Sequence, residues 1–426
     1  VLDEEVTGLP GPPVSGDSPG TWPSAAFSIG SSAGSAAGSS GIGEVLALFR
    51  AGAALTRAEV MDRTGLSRTT VNQRLDTLLA ARLIVPAGEG TPTRGRPATR
   101  FGFNADRGVL LVADLGATGL RAAVCDLTGG IHAERQVGID ITSGPEQILG
   151  TIRELFVELL TVSGRAAGQV HGIGLSVPGP VDFARGRVVS PPIMTGWDGY
   201  DIRGWFARDY ACPVLVDKDV NAMAIGEHRR EYPEVSHLLM LKLGTGIGAG
   251  VVVGGAIYRG ADGAAGDIGH SQLTAPDGGE QPLCRCGNTG CLEAYAGGWA
   301  LTRDLQAAGR QVSNVDESIE LVLAGDPVAV QLTRQAGRTL GAAIADAVSL
   351  FNPRVVVIGG QLARVEEQLF AGIREMVYRR SLPLATSRLQ IVRSRLDVSA
   401  GPIGLALLLA DSIFAPERVE SLIARP

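Results

Sequence analysis

Lysine is almost missing from this chain. Of its 38 basic residues only two are lysines, Lys218 and Lys242, and the other 36 are arginines. A bias this strong reads as the codon usage of a GC-rich genome rather than as a functional signature. Cysteine is scarce as well, with five in 426 residues, which excludes a disulfide-stapled scaffold and suits a reducing compartment. No apolar run approaches the ~18 residues of a membrane-spanning helix. The opening "VLDEEVTGLPGPP" is acidic and has no apolar core segment, so it does not read as a secretory signal. The expectation is a cytoplasmic protein with no membrane partner.

What is present is the composition of a globular protein, 45% hydrophobic and 19% charged, in a chain long enough for two or three cores. The net charge of −6 is unevenly spread. Residues 41–104 hold nine arginines against five acidic residues, and the remainder carries 29 basic and 39 acidic ones. A basic module on an acidic body suggests that only the module meets a polyanion.

Residues 1–40, with "SIGSSAGSAAGSSG", lack any apolar period and read as a disordered Gly/Ser/Pro/Ala tail. Residues 41–105 read as a winged helix-turn-helix. Ile42, Val45, Leu46 and Phe49 share one helical face. Thr56 and Glu59 form a possible capping box for a second helix, which Gly65 ends. Ser67 caps a third helix, read along "SRTTVNQRLDTLLAARLIV", with Val71, Leu75, Leu78 and Leu79 inward. Its outer face is Thr, Asn, Gln and Arg rather than a Glu/Lys solvent coat. "VPAGEGTPTRGRPATRFGFN" then reads as a strand, a loop holding Arg94, Arg96 and Arg100, and a return strand. An arginine flanked by Gly and Pro on such a wing suits a narrow minor groove. A purely structural helical bundle would show the same apolar stripes. The candidate DNA-binding residues are Arg68, Thr69, Thr70, Gln73, Arg74, Arg94, Arg96 and Arg100, and operator DNA is the expected partner.

From Gly108 the texture changes to strands and glycine turns, an α/β body over 106–426 with two lobes. Three glycine loops stand out: "DLGAT" at Asp114–Thr118, "LGTGIGAG" at Leu243–Gly250 and "VVVIGGQ" at Val355–Gln361. A small backbone-exposing turn can approach a phosphate, and an aspartate beside it can hold hydrated magnesium. Singly each loop is weak evidence. His270, Cys284, Cys286 and Cys291 offer one nitrogen and three sulfurs, a common set for structural zinc. The C-x-C-x₄-C spacing is tighter than in ordinary fingers, and a reactive thiol or unpaired core cysteines are the alternatives.

The three loops in this order, "GDIGH" and "CRCGNTGCLE" together resemble the ROK family (repressor, open reading frame, kinase) of the actin/hexokinase superfamily. The resemblance runs from Ile42 to the C-terminus. It implies a two-lobed, ribonuclease H-like sugar-kinase body and, given the preceding module, the repressor branch. It also implies phosphate or nucleotide contacts at Asp114, Gly116, Thr118, Gly244, Thr245, Gly246, Gly359 and Gly360. ATP and Mg²⁺ are expected only if kinase activity is retained. Lys218, Asp219, Asp267, His270 and Glu293 fall on sugar-binding positions, and Asp219 on that of the catalytic base, here expected to be vestigial. A zinc ion in the 270–291 segment would brace the ligand loop, with Glu293 pointing into the sugar site and His270 sharing its second nitrogen with a sugar hydroxyl.

Two departures qualify the kinase reading. The family's E-x-G-H is "DIGH", with the shorter Asp267, and its N-D-A-N is "KDVN", with Lys218 in place of an asparagine. An amide donates and accepts, whereas an ammonium only donates. The expectation is therefore a sugar-responsive repressor, acting as a homodimer or higher oligomer, that binds a sugar or sugar phosphate. The alternative is an active sugar kinase with an appended DNA-binding module.

Overall fold

The computed structural model describes residues 41–89, 98–273 and 280–424. The expected tail and the wing arginines Arg94 and Arg96 lie outside these residues.

The N-terminal module holds α1 (Ile42–Arg50), β1 (Leu55–Thr56), α2 (Arg57–Thr64), α3 (Arg68–Ala80), β2 (Ile84–Glu89) and β3 (Thr99–Phe103). Its small sheet has the order β1-β3-β2 and is antiparallel. The capping box is formed: Thr56 N donates to Glu59 Oε2 at 2.7 Å and Glu59 N to Thr56 Oγ1 at 3.2 Å. Gly65 ends α2 at φ 68°, a conformation that favours glycine. Ser67 accepts from Thr70 N and starts α3. Val45, Leu46, Phe49, Val71, Leu75 and Leu78 are all buried, while Leu79 is half-buried. The third helix is shorter than its apolar run suggests. The chain turns at Arg82, φ 54°, and Leu83 and Ile84 enter the core from a strand approach instead.

The first lobe follows with β4 (Val109–Leu115), β5 (Gly119–Cys125), β6 (Ile131–Gly138), α4 (Pro145–Val162), β7 (Val170–Val177), β8 (Val181–Asp182), β9 (Arg187–Val188), α5 (Ile202–Phe206) and β10 (Val214–Lys218). The second lobe holds α6 (Asp219–Glu231), β11 (His237–Leu243), β12 (Ile247–Val253), β13 (Ala256–Tyr258), α7 (Leu292–Ala296), α8 (Gly298–Ala307), α9 (Val315–Leu323), α10 (Pro327–Phe351), β14 (Val355–Gly359), α11 (Glu366–Arg380), α12 (Pro383–Thr386) and β15 (Gln390–Arg393). The chain ends with α13 (Ala400–Ile413) and α14 (Pro416–Ile423).

The two large sheets repeat one plan. Their orders are β10-β7-β4-β5-β6 and β13-β12-β11-β14-β15. Each is an antiparallel meander extended by two parallel strands. Strands in the middle read as continuous apolar runs because both faces are covered. α4 covers the outer face of the first sheet, and α10 with α11 that of the second. Between the sheets, α13 lies on β4 and β7, α6 lies on β11 and β12, and the two helices pack on each other. Small residues permit that approach: a Cβ on Gly404 would collide with the Ala222 carbonyl, and one on Gly226 with the Ala400 carbonyl.

The boundary near residue 105 separates sequence motifs but not cores. α14, last in the chain, packs on α1, where a Cβ on Gly43 would strike Pro416. Phe103 meets Phe414 edge-on at 5.4 Å between centroids, and Val419 is fully buried. The module's core thus continues into α13 and α14. Among the described residues, no single helix is long and apolar enough to cross a membrane.

Candidate functional site

The interlobe cleft collects the site residues at strand ends. β10 ends in Lys218 and α6 begins at Asp219. Both Asp219 oxygens are engaged: Val220 N donates to Oδ1 at 2.7 Å and Lys242 Nζ to Oδ2 at 2.5 Å. Asp114, at the end of β4, accepts the Ser176 hydroxyl on Oδ1, and its Oδ2 lies against Gly401 in the first turn of α13. Burial pushes the Asp114 carboxyl above the ordinary aspartate range, although the Lys242 ammonium pulls the other way. Burial disfavours the Lys242 charge, yet Asp219 and Asp114 outweigh that and hold its pKa above the usual lysine value.

Lys218 is buried, and its ammonium donates to the Ala265 carbonyl at 3.1 Å. Asp217, not anticipated from the sequence, is the anchor beside it. It accepts Lys218 N and Asn221 Nδ2 on one oxygen, both at 2.8 Å, and Arg259 at 2.6 Å and 3.1 Å on the other. Arg259 in turn lies 3.8 Å over the Phe183 ring. Asp267 is exposed at the start of a short 3-10 turn ending in His270, and its carboxylate has no partner among the described residues.

The His/Cys cluster assembles from separate turns. His270 Nδ1 lies 3.8 Å from Cys284 Sγ, and Cys286 Sγ lies 3.7 Å from Cys291 Sγ. One donor atom from each of the four residues falls within 4.8 Å of all the others. A tetrahedral site with metal–sulfur bonds of about 2.3 Å has sulfur–sulfur edges of about 3.8 Å, so the donor set and its spacing fit a four-coordinate ion. With Nδ1 toward Cys284 Sγ, the Nε2 of His270 is left outside the cluster.

Glu293, expected to face a ligand, is also tied to the protein. Its carboxylate is buried, with Oε2 accepting Ile247 N at 3.0 Å and Oε1 accepting Trp299 Nε1 at 3.2 Å. Gly298 N and Trp299 N donate to the carbonyls of Gly244 and Thr245. The segment after the cysteines therefore braces the second glycine loop, Gly244, Thr245 and Gly246, from behind. Gly246 is required there, because a Cβ would meet the Glu293 carboxylate. Gly116 N closes the first loop on the Gly119 carbonyl at 2.7 Å, leaving Thr118 exposed. Gly360, φ 87°, follows Gly359 at the end of β14 and presses on the Leu243 backbone. The second and third loops are thus in direct contact, and Asp114 of the first acts on the charge of Lys242 just before the second.

On α3, Arg68, Thr69 and Gln73 are exposed. Thr70 and Arg74 are half-buried and, with the exposed Gln73, line a groove against Glu420 and Ile423 of α14. Asn72 and Asp76 accept from Arg57 at 2.8 Å and 3.0 Å. Arg100 lies on β3 rather than on a loop, and its guanidinium is bonded to Glu59. Its geometry is that of a tie between the sheet and α2.

Residues 111–412 match the ROK family, and residues 43–85 match a winged helix-turn-helix DNA-binding family. The chain belongs to the ROK family. A putative xylose repressor of Caldicellulosiruptor sp. (strain Rt8B.4) is 29% identical over 380 residues, covering 86% of this chain and 94% of that protein. A crystal structure described as a ROK family transcriptional regulator, homolog of E. coli MLC protein, superposes with a TM-score of 0.75 at 26% identity, covering 90% of this chain and 98% of the other. A ROK family glucokinase from Streptomyces griseus, solved with glucose and AMPPNP, reaches a TM-score of 0.61 at 30% identity and covers 71% of this chain and 99% of its own. The ROK fold is thus shared with regulators over nearly the whole chain and with a kinase over the body alone. As a ROK protein with a DNA-binding module, the chain couples a regulator's front end to a kinase-fold body.

Proposed function

We propose that the chain is a sugar-responsive transcriptional repressor. The exposed face of α3, with Arg68, Thr69 and Gln73, reads operator DNA in the major groove, and Arg94 and Arg96 contact backbone or minor groove. A two-fold dimer presents two such modules to paired half-sites. The cleft binds a sugar or sugar phosphate through Lys218, Asp267 and His270 Nε2. Zinc, held by His270, Cys284, Cys286 and Cys291, is structural: three thiolates and one imidazole complete a tetrahedron and leave no position for a catalytic water.

The observation that carries this reading is the direct packing of the module on α13 and α14. α6, which begins at Asp219 in the cleft, packs on α13, and α13 leads through Phe414 to α14 beneath α1. A ligand that favours one lobe arrangement biases the module through these contacts, with an effect set by its differential affinity for the two states. The test is operator affinity by fluorescence anisotropy with and without a panel of sugars and sugar phosphates. At least one is expected to change it.

The kinase alternative draws on the intact glycine loops and the retained Asp219. The Lys242 contact counts against it, because a general base must be free to accept a proton.

A further inference from the structure

The chain has only two lysines among 38 basic residues, and both side chains lie in the same cleft. Elsewhere arginine has been accepted at every basic position. Arginine is a wide planar fork, whereas lysine presents a compact point charge on a thin stem. Where lysine persists in such a sequence, the geometry calls for that compact charge.

Lys242 has the surroundings to match. It sits on β11 between two glycines, paired with Gly248 on β12 and Gly359 on β14. Neither neighbour has a side chain to obstruct it. Its ammonium reaches across to Asp219 Oδ2, and Asp114 acts on the same charge. Asp219 follows the end of β10 and Asp114 lies at the end of β4, strands of one sheet, whereas Lys242 comes from β11 of the other. Two carboxylates at strand ends of one sheet, facing the second lobe, are an arrangement suited to a hydrated divalent cation. Magnesium with a nucleotide does not fit here while the ammonium is in place.

We propose that Lys242 is a tethered cation that takes the place of a divalent metal at Asp219, on the side of Asp114, so that the cleft receives its ligand without magnesium or nucleotide. This rests on the reading of the body as a sensor. The lysine neutralises Asp219, withdraws it from proton transfer and ties the lobes together with a charge that cannot diffuse away. Lys218, whose ammonium meets only a carbonyl among the described residues, stays available as a donor to the ligand.

The test is a titration of the full chain with Mn²⁺, without nucleotide, with the His/Cys cluster loaded with zinc beforehand and bound Mn²⁺ followed by electron paramagnetic resonance. Wild type should bind no Mn²⁺ that depends on Asp219. Lys242→Met should gain one site at least ~tenfold tighter than any in wild type, and adding Asp219→Asn should remove it. Lys242→Arg, which keeps a cation, should gain none. A wild-type Mn²⁺ site lost in Asp219→Asn overturns the proposal, as does a folded Lys242→Met that gains no site. The wild-type titration decides the matter if Lys242→Met does not fold. Operator affinity is measured with sugars in the same buffer. A missing sugar response alongside the expected Mn²⁺ results would remove the repressor reading and leave the lysine assignment standing.

Discussion

Arg50 Nη2, in the DNA-binding module, donates to Asp411 Oδ1 at 2.8 Å. The other oxygen of Asp411 accepts Arg229 Nη2 at 3.0 Å. One carboxylate on α13 therefore holds α1 and the far end of α6, the helix that starts in the cleft. Arg50 also lies 5.3 Å from the centre of the Phe414 ring, on the same junction.

Asp411→Asn should weaken this link without touching ligand. Both partners are partly exposed, with side-chain accessibilities of 18% and 37% for Arg50 and Asp411. The stability cost should be about 1 kcal/mol or less. Ligand affinity in the isolated protein should change little, while the ligand's effect on operator affinity should shrink. Paired calorimetry and anisotropy check this, and an undiminished ligand effect removes Asp411 from the coupling route.

Phe414→Ala should cost more. The ring is fully buried against Phe103, and truncating a buried phenylalanine costs about 3–5 kcal/mol. Thermal unfolding should shift down. Because the module shares this core, limited proteolysis should release it more readily than in wild type.

Gln73→Ala and Thr69→Ala should relax discrimination between operator and mutated operator, by roughly 1–3 kcal/mol for each lost base contact. Arg68→Ala should weaken all sequences alike and lower the salt dependence of binding. Equal losses on operator and random DNA for all three variants would place the reading face elsewhere.

Zinc should copurify at about one ion per chain, judged from four donors at one site. Cys286→Ser should lose it and melt lower, since metal binding contributes to folding free energy. Glycine loop 244–246 should loosen with it, because Glu293 and Trp299 brace that loop. Metal-free wild type of unchanged stability, purified without chelator, contradicts the site.

The Glu59–Arg100 pair gives a pH signature. The hydrogen bond from Arg100, helped by Thr56, lowers the Glu59 pKa from 4.5 to about 2. A depressed carboxyl stabilises the fold above its unfolded pKa and loses that contribution as pH falls through the folded one. Wild type should therefore exceed Glu59→Gln in melting temperature at pH 7, and the gap should close between pH 4.5 and 2. A gap constant with pH would mean the pair contributes nothing through charge.

The regular elements were legible because their signals are local. Thr56, Glu59, Gly65 and Ser67 place the helix-turn-helix by capping chemistry alone, and the three glycine loops and the cysteine spacing mark the cleft and the cluster. Side-chain partners were not legible, since they depend on tertiary approach. Glu293 reads as a ligand residue in sequence, and its bonds to Ile247 N and Trp299 Nε1 gave no sign there. Arg100 reads as a wing residue and bonds Glu59. For Lys242 the signal is in the sequence: it is one of two lysines and directly precedes "LGTGIG". That α14 completes the core of the N-terminal module could not be read from its composition, because the contact spans almost the whole chain.

Ligand in the cleft is proposed to control DNA binding without phosphoryl transfer. The most direct measurement is operator affinity of the full chain against a panel of sugars and sugar phosphates, in buffer free of ATP and magnesium, with ATP consumption assayed in parallel. At least one ligand should shift the affinity, and ATP turnover should stay negligible for all of them. Turnover on the order of 1 s⁻¹, with operator affinity indifferent to every ligand, would make the chain a kinase rather than a sensor.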